Sequence, residues 1–353
     1  MHGVVHTGEV HTEMRALTAT TQTPPPVAHN RPRAAILRSP AFGPGVTLVV
    51  LFILFAIVVP NFFTLRSIAG IVNAATLTGI IAIGVTQLMI AGEFDLSVGP
   101  VMAMSGFVFG FYMMNGGGPW LAIPLALAIC ALMGLINGFI VVKAQMPSFI
   151  VTLGTAFIFT GLVWAYSGGQ VLQITESPPA FAWLNGRLAT LADLYAGANF
   201  RSSIVWWLGL VAIFQFVLVR TRFGNHVFAV GGNRDSAAAQ GVPVVRTKLL
   251  AFMWSSVLAG VAGILLFAQF KTVRIATGTG EELKAIAAAV VGGTLLTGGY
   301  GSIIGALFGV LLISMLRTGV VLLDIIAADN FDAIVGVTIV AAAILNNVIR
   351  NRA

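Results

Sequence analysis

Apolar runs of about twenty residues recur along this chain from residue 45 to residue 349, and few charges interrupt them. A helix needs roughly 20 apolar residues to cross the hydrocarbon core of a bilayer. The runs lie near 45–63, 68–90, 96–115, 120–142, 148–166, 204–220, 249–270, 284–298, 300–323 and 330–349. The eighth is short and rich in glycine and alanine, which fits a re-entrant segment as well as a span. Only 9% of residues are charged, against about 25% in a soluble domain. Such a chain cannot cover itself with water-compatible surface. The expected fold class is all-α: a polytopic helical bundle of about ten transmembrane helices.

Residues 1–44 stand apart from the bundle at 45–353. Thr18 to Pro26 is polar and proline-rich, the composition of a disordered tail. Arg31, Arg33 and Arg38 precede the first run. That run is too long for a signal-peptide core and lacks a small-residue cleavage site. His2, His6, His11 and His29 are too irregularly spaced for a metal tract.

Basic residues set the orientation. An N-terminus inside the cell gives the cytoplasmic side the tail arginines, Lys143, Arg350, Arg352 and five basic residues between 220 and 248. The outer side receives Arg66, Arg187, Arg201, Lys271, Arg274 and Lys284. Positive charge concentrates on the cytoplasmic side of membrane proteins, and an even number of spans places both termini there. The long outer loop, 167–203, carries Pro178-Pro179 and then Phe181, Trp183, Leu184, Leu188, Leu191 and Leu194. Two readings fit that patch: a helix lying on the bilayer, or a docking surface for an extracytoplasmic partner.

Arg220 to Lys248 is the most charged stretch between spans, with Arg220, Arg222, Arg234, Arg246 and Lys248 against the single acid Asp235. One short helix is legible inside it. Asn233 is a cap whose side-chain oxygen can accept from free N–H groups of the first turn. Arg234, Asp235, Ser236, Ala237, Ala238, Ala239 and Gln240 follow as about two turns. Gly241 can take the left-handed closing position, and Pro243 blocks continuation. The stretch is either an ordinary cytoplasmic loop or a piece shaped to fit a partner.

Glu93 and Asp95 are the only carboxylates between the tail and Glu176. Asp95 is placed to cap a helix starting at Leu96 or Ser97. Glu93 can line a path or pair with a basic group from another loop. Uncharged polar residues within the runs include Asn73, Thr76, Thr78, Gln87, Asn137, Thr152, Thr155, Thr160, Ser255 and Ser256. Amides and hydroxyls suit a neutral hydrogen-bonding solute and suit helix–helix hydrogen bonds equally. Asn73, Gln87, Glu93, Phe94, Asp95 and Asn137 form the candidate translocation path.

Gly301, Gly305 and Gly309 recur every fourth residue, the spacing of close helix packing. Gly92 to Gly99 and Gly298 to Gly305 share two glycines and an aromatic in register. That is a weak internal repeat of the kind seen in two-halved transporters. The phosphate loop G-x-x-x-x-G-K-[ST] does not occur. Cys130 stands alone, so neither a disulfide within the chain nor a thiolate metal site can form. No catalytic constellation, cofactor or metal is expected, and acids within the runs are too sparse for an ion-coupled carrier.

Three segments together resemble one family. Gly92-Glu-Phe-Asp-Leu-Ser-Val-Gly99 is similar to the GGIDLSVG signature of ribose-type sugar permeases of ATP-binding-cassette importers. Gly224 to Gly241 resembles their large cytoplasmic loop, and Asp235 to Gly241 loosely matches the E-A-A-x-x-x-G pattern of importer permeases. Thr277 to Thr294, with Gly298 to Gly301, resembles their C-terminal signature. The likeness runs from about residue 45 to the end. It implies a permease in the bacterial inner membrane, a second permease subunit, cytoplasmic ATPase subunits and an extracytoplasmic sugar-binding protein. It implies that Asn233 to Gly241 is the helix that docks on the ATPase, and that ATP is hydrolysed on another chain. Related permeases carry branched-chain amino acids or nucleosides. Glu93-Phe94 stands where the family has Gly-Ile, adding a charge and a ring.

Overall fold

The computed structural model describes residues 39–188 and 197–323, with positions 333, 336 and 337 besides. The tail up to residue 38, Leu191, Leu194 and most of the run at 330–349 lie outside the described residues. Six helices are long and apolar enough to cross a membrane: α2 (Leu65–Ile90), α4 (Pro119–Ala144), α5 (Ser148–Ser167), α7 (Ser203–Arg220), α10 (Val244–Phe270) and α12 (Ile303–Leu322). Two shorter apolar helices join them, α1 (Phe42–Val58) and α3 (Val98–Met114). The chain is a helical membrane bundle.

Local chemistry sets the boundaries. Thr64 caps α2 by accepting from the Ser67 N–H at 3.2 Å. Pro119 opens α4, where its missing N–H costs nothing. Ser302 caps α12 by accepting from the Gly305 N–H at 2.9 Å. The run expected at 284–298 contains α11 (Glu281–Val291). Eleven residues rise only about 17 Å, too little to cross a bilayer core of about 30 Å. An irregular turn, residues 292–302, then leads into α12.

The bundle is built around α2 and α10. In each, 61% of the spanning window is buried, against 28% in α7 at the periphery. Glycine allows the close contacts. A Cβ at Gly84 of α2 would lie 2.7 Å from the Ser255 Cα of α10, and one at Gly263 of α10 would lie 2.2 Å from the Met102 carbonyl oxygen of α3. Without a hydrophobic drive between helices in lipid, such backbone approach is what holds spans together.

Gly305 and Gly309 do the same for α12. Added methyl carbons there would meet the Gly292 and Ala288 carbonyl oxygens at 2.1 and 2.0 Å. Gly301, expected on the same helix face, lies before α12 begins, because Ser302 caps the helix. It stands against Thr294 instead.

Between α5 and α7 the chain forms a small cap at one end of the bundle. β1 (Leu172–Gln173) pairs antiparallel with β2 (Thr272–Val273). α6 (Ala180–Asn185) buries Ala180, Phe181, Leu184 and Asn185. Phe181 sits about 6 Å from the rings of Phe109 and Phe267. Asn185 donates to the Leu265 carbonyl at 2.8 Å, and Arg201 donates to the Asn185 carbonyl at 2.9 Å. The apolar face of this helix is therefore turned into the bundle rather than laid on lipid. Ala182 and Trp183 are left outward, and Trp183 stacks with Trp120.

Candidate functional site

α8 (Arg222–Gly232) and α9 (Arg234–Ala239) carry the basic stretch. Asn233 Oδ1 accepts from the Ser236 N–H at 2.8 Å, closing the first turn of α9. At the other end Gly241 takes φ +80°. Its N–H donates to Ala238 and that of Val242 to Ala237, both at 3.0 Å. This paired closure satisfies the last carbonyls and demands a left-handed residue. Every residue from Asn233 to Gly241 is exposed except Ala237. α9 is thus a rigid, small-faced helix with almost nothing of its own chain against it.

Its root is not free. A Cβ at Gly231 would lie 1.7 Å from the Ile90 carbonyl oxygen and 2.7 Å from the Gly299 nitrogen. The Gly299 N–H itself donates to Ile90 at 2.8 Å. Gly92 (φ +82°) and Gly298 (φ +83°) close the same junction. The two glycine loops paired as a repeat in the sequence thus touch each other, and both touch the end of α8.

Glu93 and Asp95 diverge from this junction. Glu93 forms an ion pair with Lys248, in the second turn of α10, and both side chains are nearly buried. Of the two roles open to Glu93, pairing with a distant basic group is the one seen. Phe94 donates its N–H to Ser148 Oγ at 2.9 Å. Asp95 is fully buried. The helix it precedes starts at Val98, and Ser97 is the N-cap residue, so Asp95 does not cap it as expected. Its Oδ1 accepts from the Ser97 N–H at 2.9 Å and the Ser97 hydroxyl at 2.6 Å. Asn137 of α4 donates to Ser97 Oγ at 2.7 Å and lies 3.4 Å from Asp95. Ser255 of α10 reaches Asp95 Oδ2 at 3.4 Å. The short loop between α2 and α3 competes with the helix for this carboxylate, and a local turn wins.

Toward the opposite end of the bundle, α2, α10, α11 and α12 line an open cavity of about 300 Å³. Its wall includes Asn73, Thr78, Gln269, Thr279, Ser314 and the ionisable Glu281, Lys284 and Arg317. Thr78 donates to Glu281 Oε2 at 2.6 Å, and Lys284 donates to Glu281 Oε1 at 3.2 Å. The bundle thus joins an exposed helix at one end to a polar cavity near the other, through the same α2 and α10.

Residues 67–343 match the family described as branched-chain amino acid transport system / permease component. The chain belongs to this permease family. It is 32% identical to the ribose import permease protein RbsC of Escherichia coli (strain K12) over 306 residues, 85% of this chain and 92% of that one. It is 33% identical to the autoinducer 2 import system permease protein LsrC of Klebsiella pneumoniae, covering 86% and 85%. It is 36% identical to the inner membrane ABC transporter permease protein YjfF of Escherichia coli (strain K12), covering 73% and 77%. No solved structure matches it. The protein is a multi-pass permease subunit, a transport component.

In this permease only Asn73, among the six path candidates read from sequence, lines the cavity. Gln87 is buried in α2, and neither end of its amide has a hydrogen-bond partner among the described residues. Glu93 lines a separate small pocket with Arg234 and Lys248, beside α9. Asp95 and Asn137 belong to the hydrogen-bonded group between α3, α4 and α10. Lys284 was counted with the charges of the outer side; with Glu281 it occupies the first turn of α11 within the bundle. Their spacing, three apart at the head of an alanine-rich run, was the available signal.

Proposed function

We propose that this permease imports a sugar, delivered by an extracytoplasmic binding protein, and that ATP hydrolysed on cytoplasmic partner subunits drives it. In this reading the α9 end faces the cytoplasm of a bacterial cell and both termini lie there. The full bundle comprises about ten transmembrane helices in two pseudo-repeated halves, in the inner membrane. A second copy of the permease completes the path. α9 is the coupling helix, and Asn233 to Gly241 meet the ATPase. Residues 1–44 are the cytoplasmic tail, and 45–353 the permease domain with its coupling loop at 220–248 and outer loop at 167–203.

One observation carries the coupling role. α9 is rigidly closed and exposed, yet its root at Gly231 rests directly on the backbone of Ile90 and Gly299. A push on α9 therefore reaches α2 and the 292–302 turn through backbone, without a flexible side chain between. The sugar reading draws on the ribose importer relative and on the amide and hydroxyl groups of the cavity. A second cargo, a branched-chain amino acid, draws on the description of the matching family.

Reconstitution with the ATPase and loaded receptor tests the reading. ATP-dependent uptake of labelled ribose is expected, insensitive to an uncoupler. Leucine should fail to compete; competition by leucine would favour the second cargo. Asp235→Arg or Gly241→Leu should abolish uptake while leaving membrane insertion intact. Full uptake by both variants would end the coupling role, and uptake lost to an uncoupler would indicate an ion-driven carrier.

A further inference from the structure

The cavity between α2, α10, α11 and α12 holds groups that coupling does not use. Ionisable residues within a membrane bundle are costly and are retained where a solute or ion passes. Here a carboxylate is held from two helices at once: Thr78 of α2 donates to Oε2 of Glu281, and Lys284 of α11 donates to Oε1. An ammonium has three donors, and this pair uses one of them. Donors and acceptors thus converge on one space.

Charge does not call for an ion as the preferred occupant. Glu281 and Lys284 compensate each other in the empty cavity, and Arg317 of the same wall is itself engaged. A ligand carboxylate or phosphate would also meet Glu281 at the head of α11, where the helix dipole would otherwise attract it. The size of the space suits a small solute. About 300 Å³ is the lower end of small-molecule sites, roughly 300–1,000 Å³.

We propose that this cavity is a cargo subsite within the membrane for one neutral, polyhydroxylated solute the size of a monosaccharide. Adjacent hydroxyls donate to Glu281 and accept from Lys284. When the cavity is empty, the two charged groups satisfy each other. Cargo must compete with that pair, so it binds weakly and can leave, as conduction requires. The permease then selects among solutes itself, after the receptor has released them. The proposal rests on the importer reading, and the following experiment separates the two.

Full-length permease in nanodiscs, without ATPase or receptor, is titrated with tritiated D-ribose and with tritiated myo-inositol. Saturable millimolar binding of at least one is expected. Glu281→Gln keeps the size of the side chain and removes its charge, and it should weaken binding about tenfold or more, the loss of a charge-assisted hydrogen bond. Thr78→Val, which removes only the hydroxyl that orients Glu281, should weaken it about threefold to tenfold. Both variants should match the wild type in size-exclusion profile and circular dichroism, which shows that they are folded. Absence of saturable binding to the wild-type permease overturns the subsite, even if ATP-driven uptake stands. Unchanged binding in both variants overturns it as well. Binding that responds to the variants, with no ATP-driven uptake by the wild type, supports the subsite and removes the importer reading instead.

Discussion

The two ends of the bundle are made of different material. At the α9 end backbone meets backbone: Ile90, Gly92, Gly231, Gly298 and Gly299 approach closely enough to leave no room for a side chain at Gly231. At the cavity end side chains face a space, and their hydrogen bonds run between helices. The first arrangement transmits displacement because close-packed atoms cannot yield. The second tolerates exchange of partners, because each of its bonds can be replaced by one to a solute. A permease needs both properties, and this chain keeps them apart along the same two helices.

The ion pair between Glu93 and Lys248 is the largest single test of the stiff end. Lys248→Met leaves Glu93 buried and uncompensated. Breaking such a pair costs about 3 kcal/mol, the lower end of the usual range, since both groups border a small pocket. Thermal unfolding in detergent should register that loss. The exchange Glu93→Lys with Lys248→Glu should recover most of it. If the exchange is no better than the single variant, the pair is incidental and the junction is held by glycine alone.

Gly231→Ala is the next test. A methyl carbon 1.7 Å from a carbonyl oxygen must push α8 away from α2, an overpacking cost of about 2 kcal/mol. Uptake should fall further than stability if the displaced contact carries the motion proposed for α9. Cavity variants should show the reverse: altered cargo binding with ATP hydrolysis still coupled. Equal effects of both kinds on both measurements would mean that the division between the ends is false.

Legibility in the sequence follows the same division. The α9 end is written locally. Asn233, Gly241 and Pro243 each act within a few residues, so the cap and the left-handed closure can be read without the fold. The apolar runs are local too, and nine of them coincide with helices or half-helices among the described residues. The cavity is not local. Thr78 and Glu281 are 203 residues apart, and nothing in either segment announces the other. Lys284 was counted by its charge alone, and its helix and its partner Glu281 emerge only in the structure. Asp95 looked like a cap because helix-start chemistry is common, yet it serves three segments that meet only in the folded bundle. Glycine spacing was informative about packing and silent about its partner: Gly305 and Gly309 announced a close contact, and only the structure shows that α11 makes it.

The smallest expected effect lies on α9 itself. Asn233→Ala removes one hydrogen bond, from the Ser236 N–H to Oδ1 at 2.8 Å. Losing an N-cap side chain costs about 1 kcal/mol. Because α9 is exposed and short, that loss should fall on the helix and not on the bundle. The melting temperature of the permease should hardly move, while amide hydrogen exchange across 234–240 should quicken about fivefold. Coupling would then weaken in proportion to the time α9 spends unwound, lowering uptake without altering cargo affinity. Asn233→Asp keeps an oxygen acceptor and should restore slow exchange and uptake together. If exchange quickens and uptake stays whole, α9 is not required to be rigid. The stiffness at Gly231 would then be sufficient by itself, and the contrast between the two ends would narrow to a single backbone contact.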